Sequence, residues 1–276
     1  MVQVLDVARE KYARLWASVN SPAFATSGHY EWMVQSVTGY TRVLEIGVGA
    51  GLSTLALVKR GHRVISIDEN PFCLMAADTT LGRAGFGAEL QLRGKSSGTS
   101  NGYLVHYESV EAPATLHDVF LIEGNVLADD KLFDWLLTSG PYDAVLCWLA
   151  GGHRAIRRNT ALPSSIRGSD AQFYGLCIRE RTYDISKQLL RPDGIVSFVD
   201  RMDMPIDIEF EKHRLIEVHK ALANDHSFEF ESVSFRSYCD PYLAVKAGVK
   251  VTRPNLLASP AGRERSALVR VTAKTQ

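Results

Sequence analysis

Apolar and polar residues follow two different periods along this chain, and the period changes at short clusters of glycine and proline. Five short apolar runs, typical of strands buried on both faces, are separated by stretches with helical spacing. Two later segments, 228–237 and 265–274, alternate residue by residue, which is typical of antiparallel strands. The order predicts an α/β fold with a parallel sheet and a closing antiparallel pair. The predicted parallel strands are 41–46, 63–68, 119–125, 142–149 and 195–200.

The first forty residues precede the first predicted strand and have helical spacing. Apolar side chains recur on one face over residues 4–19, and Pro22 and Gly28 predict a break before a short helix at 29–38. Charges interrupt this segment throughout, so it does not have the pattern of a signal peptide. We expect a helical extension over residues 1–40 on a single domain of residues 1–276.

Residues 88–113 predict an insertion between a helix and the third strand. The polar segment KSSGTSNG separates ELQLR from YLVHYESV, and because both flanks fit strands, we expect a hairpin with a polar tip. GKSS resembles part of a phosphate-binding loop, but Glu89 stands where that motif needs its first glycine. We expect the insertion to lie at the edge of the sheet opposite the ligand-binding edge and to serve packing or subunit contact.

Composition and charge narrow the class of protein. The chain has 276 residues and is 46% hydrophobic, which is enough for a sizeable core. Lys plus Arg and Asp plus Glu both number 31, and this balance argues against holding nucleic acid by bulk charge. No run of eighteen apolar residues occurs, so we expect no membrane span and a cytoplasmic location. Four cysteines without a CxxC pair are expected to be buried thiols: Cys73, Cys147, Cys177 and Cys239.

The segment VLEIGVGAG, residues 43–51, ends the first predicted strand in glycines. Gly47, Gly49 and Gly51 let a ligand approach backbone N–H groups at the start of the next helix. Loops that bind dinucleotides and loops that bind S-adenosylmethionine both begin in this way. The third glycine comes one residue earlier than GxGxxG requires. Glu45 before the glycines would repel a pyrophosphate, whereas it suits a ligand that carries a cation.

Asp68 ends the second predicted strand, about twenty residues after the glycines. A carboxylate at this position can accept hydrogen bonds from the 2′- and 3′-hydroxyls of a ribose. Both ligand classes share this feature, so it indicates a nucleoside without choosing between them. A surface aspartate at a strand end is the alternative. Glu69 is the adjacent, weaker candidate.

The motifs in order resemble those of the class I S-adenosylmethionine-dependent methyltransferases. The resemblance covers about residues 30–200 and implies a Rossmann-like fold. Such a fold has a mostly parallel seven-stranded sheet, an antiparallel C-terminal strand and helices on both faces. It also implies S-adenosyl-L-methionine as methyl donor and S-adenosyl-L-homocysteine as product. The motifs are EIGVGAG at 45–51, Asp68 after VISI, EGN at 123–125, YDAVL at 142–146 and LRPDG at 190–194.

The resemblance implies a role for each matching position. The loop from Glu45 to Gly51 would hold the methionine part, with Glu45 near its amino group. Asp68 would bind the ribose hydroxyls. Asn125 stands where the family commonly has an aspartate, and its carbonyl can accept a hydrogen bond from the adenine amino group. Gly124 and Val126 would flank the adenine.

The catalytic residues are less defined. Methyl transfer often needs a base, and His29 and His153 are the candidates because histidine titrates near neutral pH. Either could instead be a packing or surface histidine. Tyr30 and Trp148 could wall the site or lie in the core. Ser53 and Thr54 could cap the helix or contact the methionine carboxylate. Three arginines could attract an acidic substrate or lie on a solvated loop: Arg154, Arg157 and Arg158.

The acceptor is the open question. The fourth strand lacks the Asn/Asp-Pro-Pro-aromatic motif of DNA amino-methyltransferases and the Pro-Cys of cytosine-C5 enzymes. Asp200 and Asp203 are present, but no acid follows Leu146, so we expect no metal site. We expect methyl transfer to an oxygen or nitrogen of a small molecule or peptide. The alternatives are an NAD-dependent oxidoreductase and an inactive cofactor-binding scaffold or partner subunit. The oligomeric state stays open.

Overall fold

An eight-stranded sheet lies at the centre of the computed structural model, which describes residues 2–113, 118–167, 171–224, 227–238 and 266–275. Two further strands within these ranges form a separate hairpin. In chain order the strands are β1 (Arg42–Ile46), β2 (Arg63–Asp68), β3 (Ala88–Gln91), β4 (Gly94–Thr99), β5 (Gly102–Tyr107), β6 (Val119–Glu123), β7 (Tyr142–Trp148), β8 (Leu190–Asp203), β9 (Phe228–Tyr238) and β10 (Ser266–Thr275).

Six parallel strands and an antiparallel pair make up the large sheet, in the order β3-β6-β2-β1-β7-β8-β10-β9. β10 runs antiparallel between β8 and β9. The predicted fold class is confirmed, because a mostly parallel sheet ends in antiparallel strands. The described part of this sheet has eight strands rather than the seven predicted, since β3, from the predicted insertion, pairs with β6 at the sheet edge.

Helices cover both faces of the sheet, because successive residues of a buried strand point to opposite faces. In β1, Val43 belongs to the core cluster that contains Leu57, and Leu44 to the cluster that contains Leu136. These two leucines belong to helices on opposite sides, α4 and α6. The helices are α1 (Val2–Leu15), α2 (Ser21–Thr26), α3 (His29–Val34), α4 (Leu52–Val58), α5 (Pro71–Arg83), α6 (Asp130–Ser139), α7 (Ser164–Arg167), α8 (Ala171–Leu189) and α9 (Ile208–Ala223).

The N-terminal segment is helical through the predicted break at Pro22. A π-helical turn, Trp16–Asn20, follows α1, and α2 begins at Ser21 with Pro22 in its first turn. Proline is tolerated there because the N–H group that it lacks has no partner in the first turn of a helix. The chain turns instead at Gly28, whose φ of 65° precedes α3.

The hairpin of β4 and β5 lies at the carboxyl-terminal edge of the parallel strands. β3 runs parallel to β6 and so delivers the chain to that edge. There the N–H groups of Arg93 and Gly94 each donate to Glu123 Oε2 at 2.8 Å. The prediction that residues 88–113 lie at the opposite edge is therefore wrong. Most of the predicted polar tip is a strand, Gly94–Thr99, paired with Gly102–Tyr107.

The hairpin packs against elements that surround this edge. The Tyr103 side chain is buried in a cluster with Leu5 of α1 and Ala155. The Thr160 N–H donates to the Tyr103 carbonyl at 2.7 Å. The hairpin therefore supports both α1 and the loop after β7.

Candidate functional site

The glycine loop leaves β1 at the carboxyl-terminal edge of the sheet. Gly47, Gly49 and Gly51 have φ values of 90°, 54° and 80°, which other residues rarely adopt. A Cβ on Gly51 would lie 2.6 Å from the backbone Cα of Ala77, and one on Gly49 would lie 2.1 Å from Trp16 Nε1. The loop therefore needs glycine for its backbone conformation and for close approach.

Glu45 lies under this loop and is fully buried. Thr54 Oγ1 and Ser66 Oγ donate to its Oε2 at 2.6 and 2.7 Å. Burial raises the pKa of Glu45, while the hydroxyls of Ser53, Ser66 and Thr54 act against that rise. Its Oε1 has no hydrogen-bond partner among the described residues, which leaves a buried acceptor beneath the loop.

The serine and threonine at the start of α4 have a different role from the predicted one. The residue before this helix is Gly51, and no side chain caps the helix there. The hydroxyls of Ser53 and Thr54 are directed instead to Glu45. The capping interpretation of these two residues is therefore wrong, because Gly51, which has no side chain, stands at the N-cap position. Ser53 also lines the first of two cavities.

Asp68 is half-buried at the end of β2. Its Oδ2 accepts from the Gly49 N–H at 3.3 Å and its Oδ1 from the Asn70 N–H at 2.9 Å. These bonds join the end of β2 to the glycine loop. Burial, and then the neighbouring carboxylate of Glu69, raise the pKa of Asp68 to about 7.

Glu69 forms a buried charge cluster with Arg9 of α1 and with His153. Arg9 Nη2 lies 3.0 Å from Glu69 Oε2 and also donates to the Glu69 carbonyl at 2.7 Å. His153 Nε2 lies 3.1 Å from Glu69 Oε1. Burial raises the pKa of Glu69, but His153 and Arg9 overcome that effect and lower it to about 2.

Arg9, which the sequence pattern did not single out, lines neither cavity but holds Glu69, which lines both. It is buried on the face of α1 that also buries Leu5 and Ala13. These three residues are four apart, so an arginine in line with two buried apolar residues was the available signal. The apolar face predicted over residues 4–19 begins at Val4, which is exposed, so the observed face is rotated relative to it.

The two candidate histidines are both buried, and neither presents a free ring nitrogen to the cavities. The Ala155 N–H donates to His153 Nδ1 at 3.2 Å, and His153 Nε2 faces Glu69. His29 packs edge-on against Phe24 and Tyr238 and lines neither cavity. Burial, followed by Arg236, lowers the pKa of His29. A base role for either histidine stays a prediction that this geometry does not support.

Two cavities open along the carboxyl-terminal edge, with empty volumes of about 490 and 350 Å³ that include open solvent. They share five lining residues and therefore form one elongated site. The larger end lies against α1, α3 and the end of β7, and the smaller against the end of β6 and α8. The shared residues are Gly47, Asp68, Glu69, Ala150 and Gly151.

The smaller end is lined by Gly124, Asn125 and Val126 together with Tyr174 of α8. The Leu127 N–H donates to Asn125 Oδ1 at 2.9 Å. Asn125 Nδ2 is buried and has no partner among the described residues. The unpartnered group at this end is thus an N–H donor, whereas the resemblance implied use of the carbonyl.

The larger end is aromatic. Tyr12, Trp16, Tyr30 and Trp148 line it, together with Met33. Tyr30 and Trp148 are buried and also face the cavity, so both of their proposed roles, core and wall, apply. The three loop arginines do not line either cavity: Arg154, Arg157 and Arg158.

The order of the strands places the predicted motifs together at one edge. The glycine loop follows β1, Asp68 ends β2, and Asn125 follows β6. The parallel sheet closes with an antiparallel pair. This arrangement is a Rossmann-like α/β fold, as the sequence predicts.

Several solved structures are similar to this chain, all at low sequence identity. No protein-family model matches this chain, and no curated protein matches it. TrmN from Thermus thermophilus is 11% identical at a TM-score of 0.48, and the match covers 90% of this chain but 48% of the TrmN chain. A putative methyltransferase from Bacillus halodurans is 12% identical at a TM-score of 0.48, with 89% of this chain and 97% of that one covered.

A further similar structure contains a ligand. The N-methyltransferase NodS from Bradyrhizobium japonicum, in complex with S-adenosyl-L-homocysteine, is 12% identical at a TM-score of 0.47. The match covers 97% of this chain and 98% of the NodS chain.

Two kinds of feature are absent from the described residues. Within those ranges, no group of three or more His, Cys, Asp or Glu side chains is placed to hold a metal ion. None of the helices in the described part of the chain has the length and apolar character needed to cross a membrane.

Proposed function

We propose that this protein is an S-adenosylmethionine-dependent methyltransferase that methylates an oxygen or nitrogen of a small molecule or a peptide. The observation that carries this proposal is the elongated site at the carboxyl-terminal edge. It has a glycine loop with a buried carboxylate beneath it, a second carboxylate at its middle and a buried amide at its far end. These groups match the three polar parts of the cofactor.

The residues present fit the cofactor part by part. The unpartnered Oε1 of Glu45 suits the amino group of the methionine part, directly or through a water molecule. Asp68 accepts hydrogen bonds from the ribose hydroxyls. The free donor Asn125 Nδ2 suits a ring nitrogen of adenine, because ring nitrogens accept hydrogen bonds. Gly124 and Val126 flank the base.

When bound, S-adenosylmethionine supplies an electrophilic methyl group on its sulfonium. The contribution of this chain is to orient the acceptor in line with that methyl group and to exclude water. Tyr30, Met33 and Trp148 form an apolar wall suited to both tasks. The proposal does not depend on a histidine base.

Calorimetric titration of the full chain with S-adenosyl-L-homocysteine and with NAD tests this proposal. We expect S-adenosyl-L-homocysteine to bind and NAD not to bind. Asp68→Ala should weaken the binding by about 1–3 kcal/mol through the lost hydrogen bonds. Asp134→Ala, at an exposed position on α6, is the matched control and should leave it unchanged. Binding of NAD alone would overturn the proposal in favour of an oxidoreductase.

A test of catalytic turnover distinguishes an active methyltransferase from an inactive cofactor-binding scaffold. Incubation with methyl-labelled cofactor and extracts of small molecules and peptides should give labelled products. Cofactor binding without any labelled product would favour a scaffold or partner subunit over an enzyme.

A further inference from the structure

Aromatic rings line the larger end of the site on several sides. Tyr12 and Trp16 stack with an interplanar angle of 2° and ring centroids 6.4 Å apart. Both face the cavity, as do Tyr30 and Trp148. Flat aromatic surfaces of this kind favour a planar ligand, because rings stack on rings with little loss of conformational freedom.

Arg201 contacts Trp16, one of the aromatic residues of this end, and itself lines neither cavity. Its guanidinium carbon is 5.8 Å from the centre of the Trp16 ring, within the range of a cation–π contact. In the sheet, Trp148 pairs with Val199. Arg201 is two residues further along β8 and therefore projects from the same face as Val199. The strand thus delivers a guanidinium to the wall made by Trp16.

The guanidinium of Arg201 is not paired with a carboxylate in the described part of the chain. The neighbouring carboxylate of Asp200 is bonded to Arg179. Within the described ranges, no carboxylate forms an ion pair with Arg201, and the side chain is exposed. Burial raises the pKa of Tyr12, which lines the cavity, and the positive charge of Arg201 acts against that rise. The guanidinium therefore influences the electrostatic potential at the cavity wall.

Arg201 is the charged group beside the aromatic end of the site. Asp68 and Glu69 line both cavities where the two meet, and Glu69 is paired with Arg9. Arg201 contacts Trp16 at the aromatic end. A negatively charged substituent on an acceptor at this end would therefore have a guanidinium nearby.

We propose that the methyl acceptor is a planar aromatic small molecule with a negatively charged substituent, and that Arg201 selects it by pairing with that charge. This inference rests on the proposed function. In the transfer, the bond between sulfonium sulfur and methyl carbon breaks and a bond from that carbon to the acceptor oxygen or nitrogen forms. The proton of the acceptor goes to solvent, and S-adenosyl-L-homocysteine leaves as the neutral thioether.

Binding of matched probes to the protein saturated with S-adenosyl-L-homocysteine tests the inference. The probes are 4-hydroxybenzoate and 6-hydroxy-2-naphthoate, each compared by calorimetry with its uncharged carboxamide. We expect at least one acid to bind tenfold or more tightly than its amide, because the guanidinium forms charge-assisted hydrogen bonds with a carboxylate. Arg201→Gln should abolish the difference, and Arg201→Lys should retain part of it, since lysine keeps the charge.

Two controls keep the outcome interpretable. Arg83→Gln, at an exposed arginine at the far end of α5, should keep the preference for the acid. Saturation with S-adenosyl-L-homocysteine is measured first for every variant, so a failure of the proposed function is seen separately. If the cofactor product binds but neither acid binds, or if acid and amide bind equally, the inference about the acceptor is overturned. A preference that survives Arg201→Gln overturns the role of Arg201.

Discussion

At the scale of single residues, Asp68 connects the chemistry of the site to pH. Its carboxylate sits between two backbone N–H donors but is desolvated beside Glu69, so its pKa rises to about 7. The ionised form accepts two hydrogen bonds from a ribose, whereas the protonated form has lost part of that capacity.

We expect the affinity for S-adenosyl-L-homocysteine to increase as the pH rises from 6 to 8. If only ionised Asp68 binds, a pKa near 7 gives a change of about tenfold over that range. Calorimetry at fixed ionic strength measures it, with Asp68→Asn as the control that should flatten the profile. Tighter binding at pH 6 than at pH 8 would contradict this role of Asp68.

Single residues also show how far local sequence can reach. The glycines follow β1, Glu45 lies in β1 and Asp68 ends β2, as predicted, because a strand end and the loop after it are local features. The hydrogen-bond partners of Glu45 were not predicted, because Thr54 and Ser66 donate to it from neighbouring elements. Asn125 shows the same limit, because the turn to Leu127 occupies the oxygen that was expected to face the ligand.

At the scale of elements, α1 is tied to the end of β2 by charge as well as by packing. Arg9 contacts both the side chain and the carbonyl of Glu69, and its own carbonyl accepts from Asn70 Nδ2 at 2.9 Å. Both charged side chains of the pair are buried, 3% and 12% exposed, so solvent screens them little. Removing one partner leaves a buried charge without compensation.

We expect Arg9→Met to lower the free energy of unfolding by about 3 kcal/mol, as for other broken buried pairs. The double variant Arg9→Met/Glu69→Gln should recover much of that loss, because it removes the uncompensated carboxylate as well. Urea unfolding monitored by tryptophan fluorescence measures both. Arg14→Met, at an exposed position of the same helix, is the control. If Arg9→Met and Arg14→Met lower the free energy of unfolding by the same amount, the ion pair contributes nothing to stability beyond packing.

Strand bounds followed the sequence pattern closely at β1, β2, β6 and β7, but β8 spans Leu190–Asp203 rather than 195–200. The spacing of residues 170–190 predicts a helix that Asp170 could cap; α8 spans Ala171–Leu189, and Asp170 lies outside the described residues. Two other departures from the sequence pattern are the helix through Pro22 and the hairpin of β4 and β5. Pro22 does not break the helix because it stands in the first turn of α2. The polar run forms a strand because it pairs with β5.

At the scale of the whole molecule, a buried polar pair, Tyr183 and His219, connects α8 and α9 next to the antiparallel end of the sheet. Tyr183 and His219 share a hydrogen bond of 2.9 Å within a cluster that includes Phe198 and Phe228. Burial lowers the pKa of His219 to about 4, below its ordinary value of 6.5. The unfolded chain therefore binds this proton at a higher pH than the folded chain does.

The sign of the effect on stability follows from this order of pKa values. The contribution of His219 is fully present above pH 6.5 and is lost as the pH falls through 4. Asp68 has the opposite sign, because its raised pKa favours the folded state as the pH falls below 7. A comparison of variants is needed to separate the two groups.

We expect the stability advantage of the wild-type protein over His219→Gln to shrink as the pH is lowered from 7 to 4. The change is at most roughly 3 kcal/mol, from the shift in pKa. Chemical denaturation at a series of pH values measures the difference, and Asp68 cancels because both proteins contain it. A difference independent of pH would mean that His219 does not titrate in the folded state as described.

The sequence by itself determined the strand order along the chain, the fold class and the loop at the end of β1. These features can be predicted because hydrophobic periodicity, glycines after a strand and a carboxylate at a strand end each involve only a few neighbouring residues. Only the tertiary structure decided that Arg9 pairs with a residue sixty positions away, that both nitrogens of His153 face protein partners, and that Arg201 stands over Trp16. These contacts depend on how whole elements pack, because each joins side chains whose distance is set by the fold rather than by their spacing in the chain.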